Sequence, residues 1–520
     1  MNNNKMTGTT LNRRRKALGL LLACSALASP LALPLLAVAQ TLFPSQTSPL
    51  PALSDAQLGT AGTTMVTTNA QAATAQASQD ENTGDVTAQS DAGAGNAMQA
   101  GAVNQQSDAN PGREAPYEED LNQPYDPSLD DGAEAIDQQE PPRTPGDPTG
   151  IRLGTFMLRP SVNQSINTEI TTRSDGTKET RNYSATGIRG TLSSDWSRHS
   201  LVVTGDGTFE KDISGGTRNF EPEGTLSADL RLDLADETVA HVTGGYSFAR
   251  EDNDDPNAIG EATVQSGVHQ LTGGLSVQRD LGRVRGLAAV NATRYIYTDA
   301  ELEGGDVISM KDRNRSGVDG RLRLGYELSP ALIPFAEVAA GHTFYDRERD
   351  SSGYARSSQS YAARSGVEFD FGEKLRGEIG TGYEVVDYED SRLDSIGALT
   401  LDGNATWSPQ RGTDVSLGLR TSVQETTTAG ESGWVEYEVT AALAHQMRDS
   451  LIGRLSGSTE LRDFEGGSSN GTTWVAGAGL TWAINPYLDV TGDVEYERTT
   501  GGDSSDQDIV RAGLGLTLKR

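Results

Sequence analysis

Cysteine is almost missing from this chain of 520 residues: Cys24 is the only one, and it lies within the first forty positions. A disulfide framework and a thiolate zinc site are therefore excluded for everything downstream. Basic charge is scarce too. Lys and Arg number 43 against 73 Asp and Glu, a formal charge of −30, so the surface is wrong for nucleic acid, whose phosphates demand clustered cations. Aromatic residues make up 6% and hydrophobic residues 35%, with a mean hydropathy of −0.49. Past the N-terminal segment, no run of about 20 apolar residues exists to cross a bilayer as a helix. A helical membrane protein is excluded. A β-barrel is not, because only every second residue of its strands must be apolar.

Recognisable reaction chemistry is absent as well. The five histidines, His199, His241, His269, His342 and His445, are too scattered for a metal pair, and no P-loop, Rossmann fingerprint or nucleophile elbow stands in a supporting context. No catalytic residue, cofactor or resident metal is expected. The acidic stretches 251–255 and 299–306 lack the spacing of a calcium-binding loop and its final glutamate, so they read as solvated loops, with Ca²⁺ binding the alternative.

What the chain does have is alternation. In residues 361–388, Tyr361, Ala363, Ser365, Val367 and Phe369 form one set, with Arg364, Glu368 and Asp370 between them. After the break Gly372-Glu373-Lys374 the pattern resumes with Leu375, Gly377, Ile379, Thr381 and Tyr383 against Arg376, Glu378 and Glu384. A period of two sends successive side chains to opposite faces, so this is an antiparallel hairpin with one apolar and one charged face.

Taken in order, residues 1–39 read as an export signal: Arg13, Arg14, Arg15 and Lys16, then an apolar core, then Ala37-Val38-Ala39 as the cleavage site. Leu21-Leu22-Ala23-Cys24 offers a rival, lipoprotein-type cleavage site with lipidation of Cys24. Residues 40–150 are low in complexity and then acidic and proline-rich. They have too few large apolar residues to offset the entropy of ordering, and read as a disordered periplasmic arm, a solvated linker or a tether for an export partner.

From 151 to 520 the period of two hardly stops. Short breaks near 196–199, 235–238, 279–283, 329–332, 372–374, 408–412, 448–450 and 484–487 alternate with mostly longer ones near 172–178, 212–219, 250–266, 298–314, 346–359, 388–396, 426–433, 463–472 and 498–507. That rhythm predicts an all-β fold, a transmembrane antiparallel β-barrel of about 18 strands with tight periplasmic turns and longer outer loops. Trp196, Tyr326, Phe369, Trp407 and Trp482 stand before short turns. Tyr246, Tyr295, Phe344, Tyr383, Tyr437, Trp474 and Tyr496 stand toward the long loops, as the two aromatic girdles of a lipid-embedded barrel would.

The polar face supplies the candidate pore lining: Asp229, Arg231, Asp233, Arg321, Arg323, Glu337, Arg364, Glu368, Asp370, Arg376, Glu378, Asp402, Arg420, Glu436, Glu438, Arg454, Asp493, Glu495 and Arg511. Mixed charge rings of this kind set solute selectivity, or else opposite charges simply pair across strands.

The segments GIRLGTFMLRPSV (150–162), PFAEVAAGHTFYDR (334–347), SGVEFDFGEKLRGEIGTGYEVVDYED (365–390) and DGNATWSPQRGTDVSLGLRTSVQET (402–426) resemble the β-barrel porin family of proteobacterial outer-membrane proteins. The resemblance covers roughly 150–520. It implies an outer-membrane barrel, often associated with exopolysaccharide or capsule secretion, and carries over no catalytic residue. The chain departs from many such barrels in ending Leu516-Thr517-Leu518-Lys519-Arg520 rather than on an aromatic residue, which leaves its assembly signal open. The expected function is a conduit for secreted polysaccharide across the outer membrane. The alternatives are a cation-preferring diffusion porin for small solutes and a non-conducting surface anchor or adhesin. The expected partners are outer-membrane lipid, the transported sugar or solute, and a periplasmic export partner.

Overall fold

A computed structural model describes residues 149–520 apart from 216–220, 235–236, 252–255, 260–261, 303, 465–468 and 502–505. The export signal, nearly all of the N-terminal arm and most of the 251–255 acidic stretch lie outside the described residues.

Eighteen long strands follow one another: β1 (Phe156–Arg173), β2 (Lys178–Ser194), β3 (His199–Ser214), β4 (Glu221–Asp233), β5 (Thr238–Arg250), β6 (Gly267–Leu281), β7 (Val284–Tyr297), β8 (Arg315–Tyr326) and β9 (Leu332–Tyr345) form the first half. The second half is β10 (Ser358–Asp370), β11 (Leu375–Tyr388), β12 (Ile396–Gln410), β13 (Thr413–Glu425), β14 (Gly433–Arg448), β15 (Leu451–Phe464), β16 (Gly471–Asn485), β17 (Leu488–Gly501) and β18 (Gln507–Lys519). Each pairs antiparallel with its neighbours in sequence. The sheet closes where β1 meets β18, in register from Ser161 opposite Lys519 to Arg173 opposite Gln507. Closure leaves no unpaired edge, which is what lets a sheet stand in hydrocarbon at all.

The predicted breaks fall where expected. Two-residue turns at 282–283, 411–412, 449–450 and 486–487 stand at one end, Gly282 and Gly412 taking the positive φ such turns need. At the other end, the connections 251–266, 298–314 and 346–357 are far longer, and three short strands from the first two (Ala262–Val264, Ala300–Leu302, Val307–Ile308) form a small separate sheet.

The distribution of side chains decides the solvent. On β8, Leu322 and Leu324 are 60% and 64% exposed on the outside, while Arg323 between them is 4% exposed within. On β11, Ile379 is exposed beside buried Glu378, and on β12 Leu399 and Leu401 flank buried Thr400. In water each exposed leucine would forgo roughly 1.5–3 kcal/mol of burial. Repeated around the wall, such an arrangement is stable only when acyl chains cover the outside. Aromatic rings belt both ends of that outer face, Tyr326, Trp407 and Trp482 at the short turns and Tyr246, Phe344, Tyr383, Trp474 and Tyr496 toward the long loops. Tyr295 is a correction: it is fully buried inside, not part of the outer belt, with the Arg315 guanidinium 4.4 Å above its ring and the Gln270 amide donating to its hydroxyl.

Candidate functional site

The structure gathers seven of the nineteen candidate residues into one network. It occupies the inner wall from β8 to β12. Glu337 lies directly opposite both Arg323 and Arg364 in register, so one carboxylate stands between two guanidinium groups. Arg364 donates to Glu337 at 2.9 Å and lies 3.7 Å from Asp402, and Arg321 approaches Glu337 at 3.6 Å. Glu368 and Glu378 face each other across β10 and β11. Like charges so placed repel, and Arg323 resolves the conflict by reaching both, at 3.1 and 2.6 Å. Arg285 of β7, absent from the sequence-based set, adds a contact to Glu368 at 3.6 Å.

An aromatic floor shapes this network. Phe335, Gly366 and Gly380 form one cross-strand row on β9, β10 and β11. A Cβ on Gly366 would come within 2.6 Å of the Phe335 ring and 2.3 Å of the Ile379 carbonyl, so glycine is what allows the ring to lie flat across the row. The Arg323 guanidinium stacks on that ring at 3.4 Å. Phe335 was not foreseen, since a lone inward phenylalanine on a charged face looks like an interruption of the pattern.

The remaining candidates form smaller groups. Arg511 reaches Glu495 and Glu497 at 2.8 Å and Glu169 across the closing seam at 2.9 Å. Next to it on β2, Arg181 pairs with Glu210 and Asp212, at 2.9 and 2.6 Å, and covers the Tyr183 ring. Arg420 lies opposite Glu438, and Glu436 opposite Arg462, which donates to Glu460 at 2.5 Å. Asp229 meets the Nδ1 of His241 at 3.0 Å, and Arg231 donates to Asp233 on its own strand at 2.9 Å. Arg454 and Asp493, both buried, flank Gly479 in one row, and exposed Asp370 sits opposite Arg376 near a short turn. Cross-strand pairing of charges is thus the rule on this wall.

Other inward rings are covered by cations as well: Tyr295 by Arg315, and Tyr297 by Arg313 at 4.2 Å. These rings are not free to stack on a sugar. The wall nevertheless keeps an excess of carboxylates, most visibly on β17, where Asp489, Asp493, Glu495 and Glu497 share the inward face. Outside the membrane-spanning wall, Asp390 is held well below the usual carboxylate range by the Arg392 guanidinium and the Ala355 N–H, and Asp346 is lowered in the same way by Arg294.

Solved structures similar to this chain include two at low identity. OpdK of Pseudomonas aeruginosa is 11% identical, with a TM-score of 0.35, 69% of this chain and 98% of that one being covered. OccAB4 of Acinetobacter baumannii is 10% identical, with a TM-score of 0.36 over 70% of this chain and 98% of that one. No curated protein matches. A family profile described as "Putative beta-barrel porin 2" matches residues 144–520, the whole of the barrel and a few residues before it. A closed wall, apolar outside and charged within, built from the residues that the profile spans, is a porin-like outer-membrane channel: the chain belongs to the Putative beta-barrel porin 2 family.

Proposed function

We propose that this channel is a conduit for secreted polysaccharide. The observation that carries the proposal is the inner wall itself: a ring of eighteen strands is wide enough for an aqueous passage, and its lining of Arg, Asp, Glu, Thr, Ser and Asn offers hydrogen bonds to sugar hydroxyls along the whole length. Pairing between guanidinium and carboxylate groups keeps those charges from gripping a polymer tightly, as passage requires. Both ends of the barrel, Phe156 and Lys519, stand at the short-turn side, so an N-terminal arm of residues 40–150 would hang in the periplasm, where it can tether an export partner.

The deciding experiment is deletion of the gene with measurement of surface polysaccharide, beside planar-bilayer recording of the purified barrel. Loss of surface polymer, restored by the native gene, supports the conduit. Unchanged polymer with a conducting barrel refutes it. The carboxylate excess favours one second reading, a cation-preferring diffusion porin. That reading expects reversal potentials on the cation side, moving toward zero in Asp493→Asn/Glu495→Gln/Glu497→Gln.

A further inference from the structure

Seventeen of the eighteen neighbouring strand pairs are consecutive in sequence, so the connection between them ties their register. The closing pair has no such tie. β1 and β18 come from opposite ends of the barrel sequence, and their register rests on what the two strands offer each other. A slip of two residues keeps every side chain on its own face. The lipid-facing set of β18, Val510, Ala512, Leu514, Leu516 and Leu518, is aliphatic throughout, so after such a slip β1 would meet the same kind of surface. Alternation settles the faces of the seam and leaves its register open.

The inner face closes that gap. Arg511, buried, lies opposite Glu169 and donates to it from Nε at 2.9 Å, while its Nη1 donates to Glu495 and Glu497 of β17 at 2.8 Å each. On the other side of β1, Glu169 lies opposite Arg181, which reaches Glu210 and Asp212 of β3. Charge therefore alternates along the wall from β17 to β3, with the seam in the middle. Nearer the short-turn end, the Asn163 amide donates to the Thr517 hydroxyl at 2.9 Å across the same seam. Sliding β18 by two residues in either direction destroys the match. Arg511 would then face Thr171 or Asn167, and Glu169 would face Gly513 or Ile509.

We propose that Glu169 and Arg511 set the register in which the barrel closes. Glu169 is the only carboxylate of β1 and Arg511 the only arginine of β18, so one register alone brings them together. Glu495 and Glu497 hold the guanidinium on its own hairpin, which positions it for the arrival of β1. The register of the seam fixes the stagger of the whole ring, and stagger with strand number fixes tilt and bore. Both are positioning residues, and their role is independent of what the channel passes.

Engineered disulfides read the register, in the full chain with Cys24→Ser as background. The Arg520 N–H donates to the Pro160 carbonyl, so the even positions of β1 are the hydrogen-bonded pairs and the inward, odd positions the closer ones, about 4.5 Å between Cα atoms. A disulfide spans that distance, whereas a residue two positions along stands about 7–8 Å away. Asn163→Cys/Thr517→Cys reports the native register, and Ser165→Cys/Thr517→Cys and Ser161→Cys/Thr517→Cys report the two slips. All three lack the Thr517 hydroxyl, so the loss of its bond from Asn163 is common to them. With Glu169 in place, mild oxidation of folded barrels should link the first pair and not the others. Glu169→Gln drops the charge at nearly unchanged shape, and the slipped links should rise about tenfold or more. Glu169→Thr/Thr171→Glu moves the carboxylate two positions along β1 and should move the link with it, from the Asn163→Cys pair to the Ser165→Cys pair. Folded barrels with the carboxylate so moved that still link only through position 163 overturn the proposal. Should that variant not fold, Glu169→Gln decides: slipped links uphold the proposal, and native links alone overturn it.

Discussion

Arg323 is the residue whose loss the inner wall should tolerate least. Its guanidinium lies 2.6 Å from Glu378, 3.1 Å from Glu368 and 3.9 Å from Glu337, and rests on the Phe335 ring. Arg323→Met keeps the stem on the ring but leaves Glu368 and Glu378 facing each other in register without the cation between them. Removing one partner of a buried ion pair costs about 3–5 kcal/mol, and the exposed repulsion places this variant toward the upper figure. Glu378→Gln is milder, because Arg323 keeps Glu368 and Glu337. The loss of one charged hydrogen bond costs about 1.5–3 kcal/mol. The double variant Arg323→Met/Glu378→Met removes the cation and one of the facing carboxylates together, and should be more stable than Arg323→Met alone. Urea unfolding in lipid vesicles, followed by tryptophan fluorescence and by the migration shift of folded barrels, measures all three together with Glu378→Met for the cycle. A double variant whose loss equals the sum of the two methionine single variants would refute the reasoning, since residues sharing one network must couple.

Three further outcomes follow from the same wall and its loops. Val290→Arg, on the exposed face midway along β7, should cost about 2–4 kcal/mol in lipid, whereas near-neutral behaviour in the unfolding assay would place that face in water. Gly366→Ala should cost about 1–3 kcal/mol, because the new methyl meets the Ile379 carbonyl, which cannot move without shifting β11, and an unchanged urea midpoint would contradict the flat seat for Phe335. The Asp390 carboxyl is lowered by its bonds from Arg392 and Ala355, so its contribution is full above the unfolded carboxylate range and is lost as pH falls below about 4. Limited proteolysis of the 346–357 and 389–395 loops should be unchanged from pH 8 to pH 5 and faster at pH 3. Asp390→Asn should show the fast pattern at every pH, and a native pattern in that variant would remove Asp390 from the account.

The strands, their number and both kinds of turn were legible because a period of two is a local property: Leu322, Arg323 and Leu324 declare their faces within three positions. What a charge touches was not. Arg323 finds Glu378 three strands and 55 residues away, a meeting set by the register of every intervening pair and by the curvature that closing the sheet imposes. Arg181 was missed for a simpler cause, since two registers fit equally well between 179 and 196, and only its pairing with Glu210 and Asp212 shows which face is inner. Tyr295 and Phe335 were misjudged or overlooked because an aromatic ring has no fixed side in a barrel. It goes outward to the interface or inward beneath a cation, and the choice rests on whether a neighbouring strand brings an arginine, as β8 brings Arg315 and Arg323. Closure therefore draws the boundary. Whatever a strand determines alone can be read from its residues, and whatever the ring determines, the ion-pair network included, exists only once β1 has met β18.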